Sequence, residues 1–417
     1  MTSIERDGLA WIASWAASPH GPYPAGNPVA QPDLQHVFPA GEAGEQTFRL
    51  IVRPDLWGST FRVHLTNVFG AQPLVVDDVY LGVQLHAGVL RAGSNRPVTF
   101  AGQGGVTIAP GDGVYSDPIQ LDAAEDESGR KLAVSFHVVG SSGPMTWHAK
   151  AIQSSYVTAV GVGSHGAEED DAAFPFSTTS WYFLDAVDVL APAGTAVVVA
   201  LGDSITDGTG STLNGDDRWP DVLSRRLHAA YGDRVSVVNA GIGGNRILTP
   251  VEYSTVAPLG GGPSALGRLE RDVFARPGVS AVVWLEGIND LGGGGATADE
   301  VIAGIREGVA RMRERGLTVV QATVTSSLGS NNGTPAVDAH RRTINEFIRT
   351  AGIFDAVADF DAVTLDGATG ELRAEFQPNS TTAVVDRIHP NRAGYLAMGH
   401  AVPLAPLVPR GMQDERA

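Results

Sequence analysis

The sequence predicts a two-part protein, with an all-β, jelly-roll-like sandwich over residues 1–193 and a doubly wound α/β/α domain over 194–417. Three observations carry that prediction. The first half holds many short β-branched and aromatic runs at roughly even spacing, with no convincing helical period between them. In the second half, short apolar runs alternate with amphipathic helical segments. The length of 417 residues also exceeds what a single hydrophobic core usually serves.

From about residue 45 to 190 the strand candidates are "TFRLIVR", "TFRVHLTN", "VVDDVYLGVQL", "PVTFAG", "KLAVSFHVV", "SSYVTAV" and "SWYFLDAVDVL". Residues 161–178 contain Glu168, Glu169, Asp170 and Asp171 in a row and read as a solvated loop. Trp15, His20, Trp147 and His148 are read as packing residues. "APAGT", residues 191–195, is the expected seam.

Beyond the seam, the apolar runs at 196–201, 235–239, 281–285, 317–324 and 355–360 are short and β-branched, as strands buried on both faces should be. Helices are expected between them. One spans 219–231, with Trp219, Val222, Leu223 and Leu227 on a shared face. A second spans 298–315, with Val301, Ile305, Val309 and Met312 at helical spacing and a capping box in Thr297 and Glu300. A third, 335–350, opens with Thr334 as cap and Pro335 in the first turn. The last, 391–402, follows "HPNRAG". Five strands with crossover helices make the doubly wound domain.

Composition narrows the chemistry. Cys is absent, which excludes disulfides, thiolate metal sites and a cysteine nucleophile. The net charge of −17 argues against nucleic acid or an anionic membrane surface as partner, since both attract clustered Lys and Arg. Lys occurs only at Lys131 and Lys150, and the abundance of Arg, Ala, Gly and Val suggests a GC-rich bacterial genome. No apolar run approaches the ~18 residues of a membrane-spanning helix, so no stable membrane insertion is expected. The first residues show no basic start followed by an apolar core. A cytoplasmic location is therefore expected, or secretion of a mature chain whose leader has been removed.

Open parallel sheets bind ligands beyond the carboxyl ends of their strands, where the strand order reverses. The first apolar run exits into Gly202-Asp203-Ser204, the second into "NAGIGGNR" (239–246), and the third into Gly287-Ile288-Asn289-Asp290. Near the chain end, "VVDRIHPNRAG" sets Asp386 and His389 three apart before the final helix. Singly, each block reads as turn or cap chemistry. Together and in order, they suit acyl transfer through a serine. A serine hydroxyl needs an imidazole to take its proton, and the imidazole needs a carboxylate to orient it. Ser204, His389 and Asp386 are the candidates for these roles. The oxyanion needs preorganised donors, which the backbone N–H groups of Ser204 and Gly244 and the amide of Asn289 would supply.

"GDSITDG", "NAGIGGNR", "GIND" and "DRIH" resemble the four motif blocks of the GDSL, or SGNH, hydrolase superfamily. The resemblance covers about residues 195–405. It implies a flavodoxin-like three-layer α/β/α domain that cleaves esters without metal or cofactor. By position, it implies Ser204 as nucleophile, His389 as base, Asp386 as its orienting acid, and Ser204, Gly244 and Asn289 as the oxyanion hole. Ile205 stands where the motif has Leu, and the serine block follows about 195 residues in place of opening the chain. That offset resembles two-domain GDSL esterases with a β domain in front. The pattern also lacks the second Gly of a Gly-x-Ser-x-Gly elbow, unlike an ordinary α/β-hydrolase.

The expected activity is that of a serine esterase acting on short-chain or acetyl esters, acetylated saccharides among them, through an acyl-enzyme. The same residues would serve a lysophospholipase, a thioesterase or an acyltransferase. A reading from another class is a carbohydrate-binding protein with an inactive hydrolase domain. The Gly-rich stretches 250–268 and 291–299 lie next to the expected site, as acyl-pocket loops or as plain connectors. Trp219 is read as helix core.

Overall fold

The computed structural model describes residues 8–26, 34–121, 129–252, 260–380, 383–409 and 411. Part of the expected pocket loop, residues 253–259, therefore lies outside the described residues, as do residues 1–7. The chain divides into two compact units, residues 1–193 with 253–260 and residues 194–252 with 261–417.

The first unit is built from antiparallel strands. One sheet pairs Leu9–Ala16 with Leu184–Pro192, then Thr60–Thr66, then Ile119–Gln120, and Gly113–Tyr115 also pairs with Thr60–Thr66. A larger sheet runs in the order Phe176–Thr178, Ser155–Val157, Gly44–Val52, Leu132–Ser141, Leu74–His86. A small third sheet holds Trp181–Tyr182, Thr146–His148 and Gly21–Pro22. Inward residues of these strands meet in an aromatic core. Phe48 stacks on Phe136 at 5.3 Å and meets Phe183 edge-on at 6.0 Å, both favoured geometries for aromatic pairs. Trp15, His20, Trp147 and His148 are all buried, and the Trp147 indole donates to Ala25 O.

Three details differ from the sequence reading. The end of the stretch 161–178, read as a solvated loop, forms the edge strand Phe176–Thr178. The strand Leu9–Ala16 lies well before residue 45. Its Ala and Ser residues dilute the β-branched signal, and its partner begins at Leu184, far along the chain. "PVTFAG" forms only the two-residue strand Arg96–Pro97 and a single bridge between Phe100 and Gln103. Ala101 and Gly102 both take positive φ there, so the chain turns back before a ladder can extend.

The acidic segment around 168–171 is a mostly exposed loop, and one buried side chain anchors it. Arg49, fully buried, donates to the carbonyls of Gly88, Glu168 and Asp170 and to Ser135 Oγ. Glu168 and Asp170 are exposed, while the half-buried Glu169 carboxylate accepts the backbone N–H groups of Gly93 and Asn95.

The second unit contains five parallel strands: β1 (Ala196–Gly202), β2 (Val235–Gly241), β3 (Val279–Leu285), β4 (Thr318–Ala322) and β5 (Ala356–Ala358). Their order is β2-β1-β3-β4-β5, the flavodoxin-like order, with its reversal beside β1. All seven residues of β1 are buried, as a central parallel strand covered on both faces requires. Alternate residues point to opposite layers. Val198, Ala200, Val283 and Val320 pack with Trp219, Leu223, Leu227, Tyr395 and Met398 in one core cluster.

The helices are α1 (Ser204–Asp207), α2 (Trp219–Tyr231), α3 (Ala265–Leu269), α4 (Ile288–Leu291), α5 (Ala298–Glu314), α6 (Pro335–Thr350), α7 (Phe360–Thr364) and α8 (Arg392–Ala401). The four long ones match the sequence reading, including the Thr297–Glu300 capping box and the Thr334 cap. Trp219 is fully buried on α2, and truncating such a side chain to Ala costs about 3–5 kcal/mol. The short helices were not anticipated. Four or five residues are too few to show a helical period, and α3 falls inside the stretch 250–268 read as a loop.

Candidate active site

Pairing aligns the ends of three strands. Gly202 of β1 is level with Gly241 of β2 and with Leu285 of β3, so the blocks that follow emerge along one edge of the sheet. The Ser204 turn forms because Asp203 caps it, its Oδ1 accepting the Ile205 N–H at 2.9 Å. Gly208, at φ +109, closes it. Close packing fixes its position, since a Cβ on Gly202 would lie 2.3 Å from Leu285 O. Ser204 is the first helical residue, so its own N–H has no acceptor within the helix.

The three acid–base candidates are brought into one hydrogen-bonded line. His389 Nε2 lies 2.8 Å from Ser204 Oγ. On the other side of the ring, His389 Nδ1 lies 2.5 Å from Asp386 Oδ2. The second carboxylate oxygen of Asp386 accepts the backbone N–H groups of Ile388 and His389 at 2.9 and 3.0 Å. These bonds hold a tight turn in which Arg387 takes φ +63, a conformation costly for a residue with a Cβ. Burial disfavours the Asp386 charge, yet the hydrogen bonds and charge of His389 and the backbone donors outweigh it and hold the carboxyl down at about 2. A carboxylate so held can orient an imidazole that takes and returns the serine proton.

Gly244 and Asn289 come from the neighbouring loops. Gly244 has φ +80, open to glycine and strained for other residues. Ile242 N–H donates to Gly202 O at 3.0 Å, and Gly243 N–H donates to Asp207 Oδ2 at 2.9 Å. Both bonds hold the Gly244 loop against the Ser204 turn. Asn289 sits in the first turn of α4, and its Nδ2 donates to Asn245 O at 3.0 Å. An Asn amide carries two N–H bonds, so the second is available to a ligand. Tyr395, buried on α8, donates to Thr209 O at 2.6 Å and secures the far end of the serine turn.

Sequence reasoning missed the layer beneath. Arg268 of α3 is 1% exposed. It donates to Gly202 O, Ala240 O, Asn245 Oδ1 and Asp272 Oδ2. Burial pushes the Glu286 carboxyl up to about 8, with Asp203 and Asp290 adding to the rise and Arg268 and the Trp284 indole opposing it. Burial likewise pushes Asp203 up to about 7, with Asp290 and Asp207 contributing. Arg268 carries no motif signal, since two of these four partners are backbone carbonyls. Among the described residues, no group of three or more His, Asp or Glu side chains is arranged to hold a metal ion. None of the described helices is long and apolar enough to cross a membrane.

A doubly wound sheet with a serine, an imidazole and a carboxylate aligned at its switch point defines a carboxylic ester hydrolase. Residues 200–397 match the model of the GDSL-like Lipase/Acylhydrolase family. No curated protein matches the chain. Among solved structures, a carbohydrate acetylesterase family member from Sinorhizobium meliloti is similar at 19% identity, covering 50% of this chain and 94% of that one, with a TM-score of 0.37. A member of the lipolytic protein G-D-S-L family from Veillonella parvula DSM 2008 is 16% identical, covering 50% of this chain and 96% of that one, with a TM-score of 0.37. An acetyl xylan esterase is 19% identical, covering 49% of this chain and 96% of that one, with a TM-score of 0.36.

Proposed function

We propose that this protein is a serine esterase that hydrolyses short-chain or acetyl carboxylic esters, acetylated saccharides among them. The observation that carries the reading is the continuous line Asp386–His389–Ser204, with contacts of 2.5 and 2.8 Å. His389 takes the Ser204 proton as Oγ attacks the ester carbonyl, and Asp386 stabilises the imidazolium that forms. The N–H groups of Ser204 and Gly244 and the Asn289 amide receive the oxyanion. The proton then passes from His389 to the leaving alkoxide, and the alcohol departs. Water, deprotonated by His389, attacks the acyl-enzyme and releases the acid, which returns Ser204 to its starting state.

The preference for small acyl groups is supported by what surrounds Ser204. The stretches that follow Ser204 and Asn289 in sequence, 206–212 and 292–295, consist of small or polar residues and carry no large apolar side chain. Small, polar residues next to the site in sequence suit a compact, polar ester better than a long acyl chain, whose binding relies on apolar area.

Turnover of p-nitrophenyl acetate by the wild type and by Ser204→Ala tests the activity. Turnover by the wild type and its loss in the variant are expected, and turnover retained by the variant rejects the assignment of Ser204. A series of p-nitrophenyl esters of rising chain length, beside a panel of acetylated saccharides, tests the substrate class. A rate that rises with chain length favours a lipid or lysophospholipid substrate instead.

A further inference from the structure

Three loops carry the proposed oxyanion donors, and one buried guanidinium reaches the elements that bear them. Arg268 Nη2 donates to Gly202 O at 2.9 Å, two residues before Ser204. Its Nη1 donates to Ala240 O at 2.7 Å, near the end of β2. Its Nε donates to Asn245 Oδ1 at 2.9 Å. Asn245 is itself clamped, its Nδ2 donating to Gly261 O and Pro263 O at 2.6 and 2.7 Å. Its main-chain oxygen then accepts the Asn289 Nδ2 hydrogen bond at 3.0 Å. A chain of polar contacts therefore runs from Arg268 through Asn245 to the amide of Asn289, with a branch to each flanking strand.

From this geometry we infer that Arg268 is a positioning residue, setting the Asn289 amide for the developing oxyanion through Asn245 without itself touching substrate. This rests on the reading of Asn289 as an oxyanion donor. A fully buried cation needs a counter-charge, and Asp272 supplies it at 3.1 Å, one helical turn along, while also meeting Arg271 at 2.6 Å. Burial works against the Asp272 charge, but Arg271, Arg268 and Arg276 together hold its carboxyl well below the ordinary range. The Arg268 fork is thus fixed from behind. Its planar array of donors reaches acceptors in three directions, which a lysine ammonium on a flexible stem does not reproduce. Oxyanion stabilisation depends on donors being in place before charge develops, and this clamp meets that requirement.

The test is a double-mutant cycle in the full chain, with Arg268→Lys, Asn289→Ala and the pair, reading kcat and KM on p-nitrophenyl acetate. Asn289→Ala should lower kcat by about 10²-fold or more, as removal of one oxyanion donor does. Arg268→Lys should lower kcat by about 10-fold or more with little change in KM, since a small misplacement of a catalytic group is enough for that. The pair should be little worse than Asn289→Ala alone, because Arg268 acts through it. Multiplicative losses, or an unchanged kcat in Arg268→Lys, overturn the inference while leaving the esterase reading intact. A kcat unchanged by Asn289→Ala overturns both the oxyanion reading and this inference. Where Arg268→Lys loses its native circular dichroism, Asn245→Asp takes its place in the cycle. That variant keeps the acceptor for Arg268 and loses the donors to Gly261 and Pro263, and additivity with Asn289→Ala overturns the inference in the same way.

Discussion

Asp207 Oδ2 accepts the backbone N–H of Gly243 at 2.9 Å, joining the last residue of the serine turn to the loop of the next strand. This buried carboxylate, with the Ile242 N–H bond to Gly202 O, holds the Gly244 loop against the Ser204 turn. Asp207→Ala leaves the Gly243 N–H without its acceptor and lets the loop relax. We expect kcat on p-nitrophenyl acetate to fall by about 10²-fold, with Asp207→Asn, which keeps an acceptor oxygen, losing much less. Equal losses in the two variants would show that charge and not position is what Asp207 provides.

Asp386→Asn separates orientation from folding. The remaining oxygen can still accept the Ile388 and His389 N–H groups, so the turn should survive. The new amide donor would face His389 Nδ1 and favour the tautomer in which Nε2 carries a proton toward Ser204. A loss of about 10⁴ in kcat is expected, with the native circular dichroism retained and a lower melting temperature near neutral pH, where the carboxylate otherwise stabilises the fold. Kinetics within a few-fold of wild type would remove Asp386 from the proposed triad.

The same carboxylate sets a limit in acid. Its folded pKa of about 2 lies below its unfolded value, so its contribution to stability is full above about pH 4 and is lost as pH falls through 2. Acid unfolding followed by circular dichroism should show a shallower pH dependence between about 4 and 2 in Asp386→Asn than in the wild type.

Glu286 behaves with the opposite sign. Burial raises its carboxyl to about 8 in the folded protein, while the unfolded group ionises near 4.3. Between these values the unfolded chain binds fewer protons, so this group makes stability fall as pH rises. Glu286→Gln does not titrate. Its melting temperature should therefore gain on the wild type from pH 5 to pH 8, and parallel curves would contradict the buried, proton-holding state.

In the β unit, Arg49→Met removes a buried donor from the carbonyls of Gly88, Glu168 and Asp170. Each orphaned buried acceptor costs about 1–3 kcal/mol, so urea unfolding should show a loss of several kcal/mol. Limited proteolysis should cut first within 165–171, and an unchanged cleavage pattern would count against the anchor.

Much of the catalytic unit is legible in the chain because its signals are local. Trp219, Val222, Leu223 and Leu227 recur at the helical period, Thr297 and Glu300 make a cap within one turn, and Asp386 and His389 are three residues apart. Arg268 is the contrary case. Gly202 and Ala240 meet it through backbone oxygens, which every residue owns, and "GGGPSALGR" reads as a flexible loop until Ser264 Oγ is seen capping Gly267 N. Leu9–Ala16 shows the same limit in the β unit, since its evidence for being a strand lies at Leu184–Pro192.

The proposed nucleophile and its proposed base are 185 residues apart, and that separation orders events during synthesis. A ribosome adding about 5–20 residues per second takes roughly 10–40 s to pass from one to the other. Through that interval a nascent chain carries the serine, and in time Gly244 and Asn289, but no imidazole to activate it. On the proposed assignment, a chain stalled before residue 389 should show no ester turnover however well its earlier strands have paired. Onset of turnover is then a clock for synthesis past His389, and a translating extract supplied with a chromogenic acetate would read it in real time.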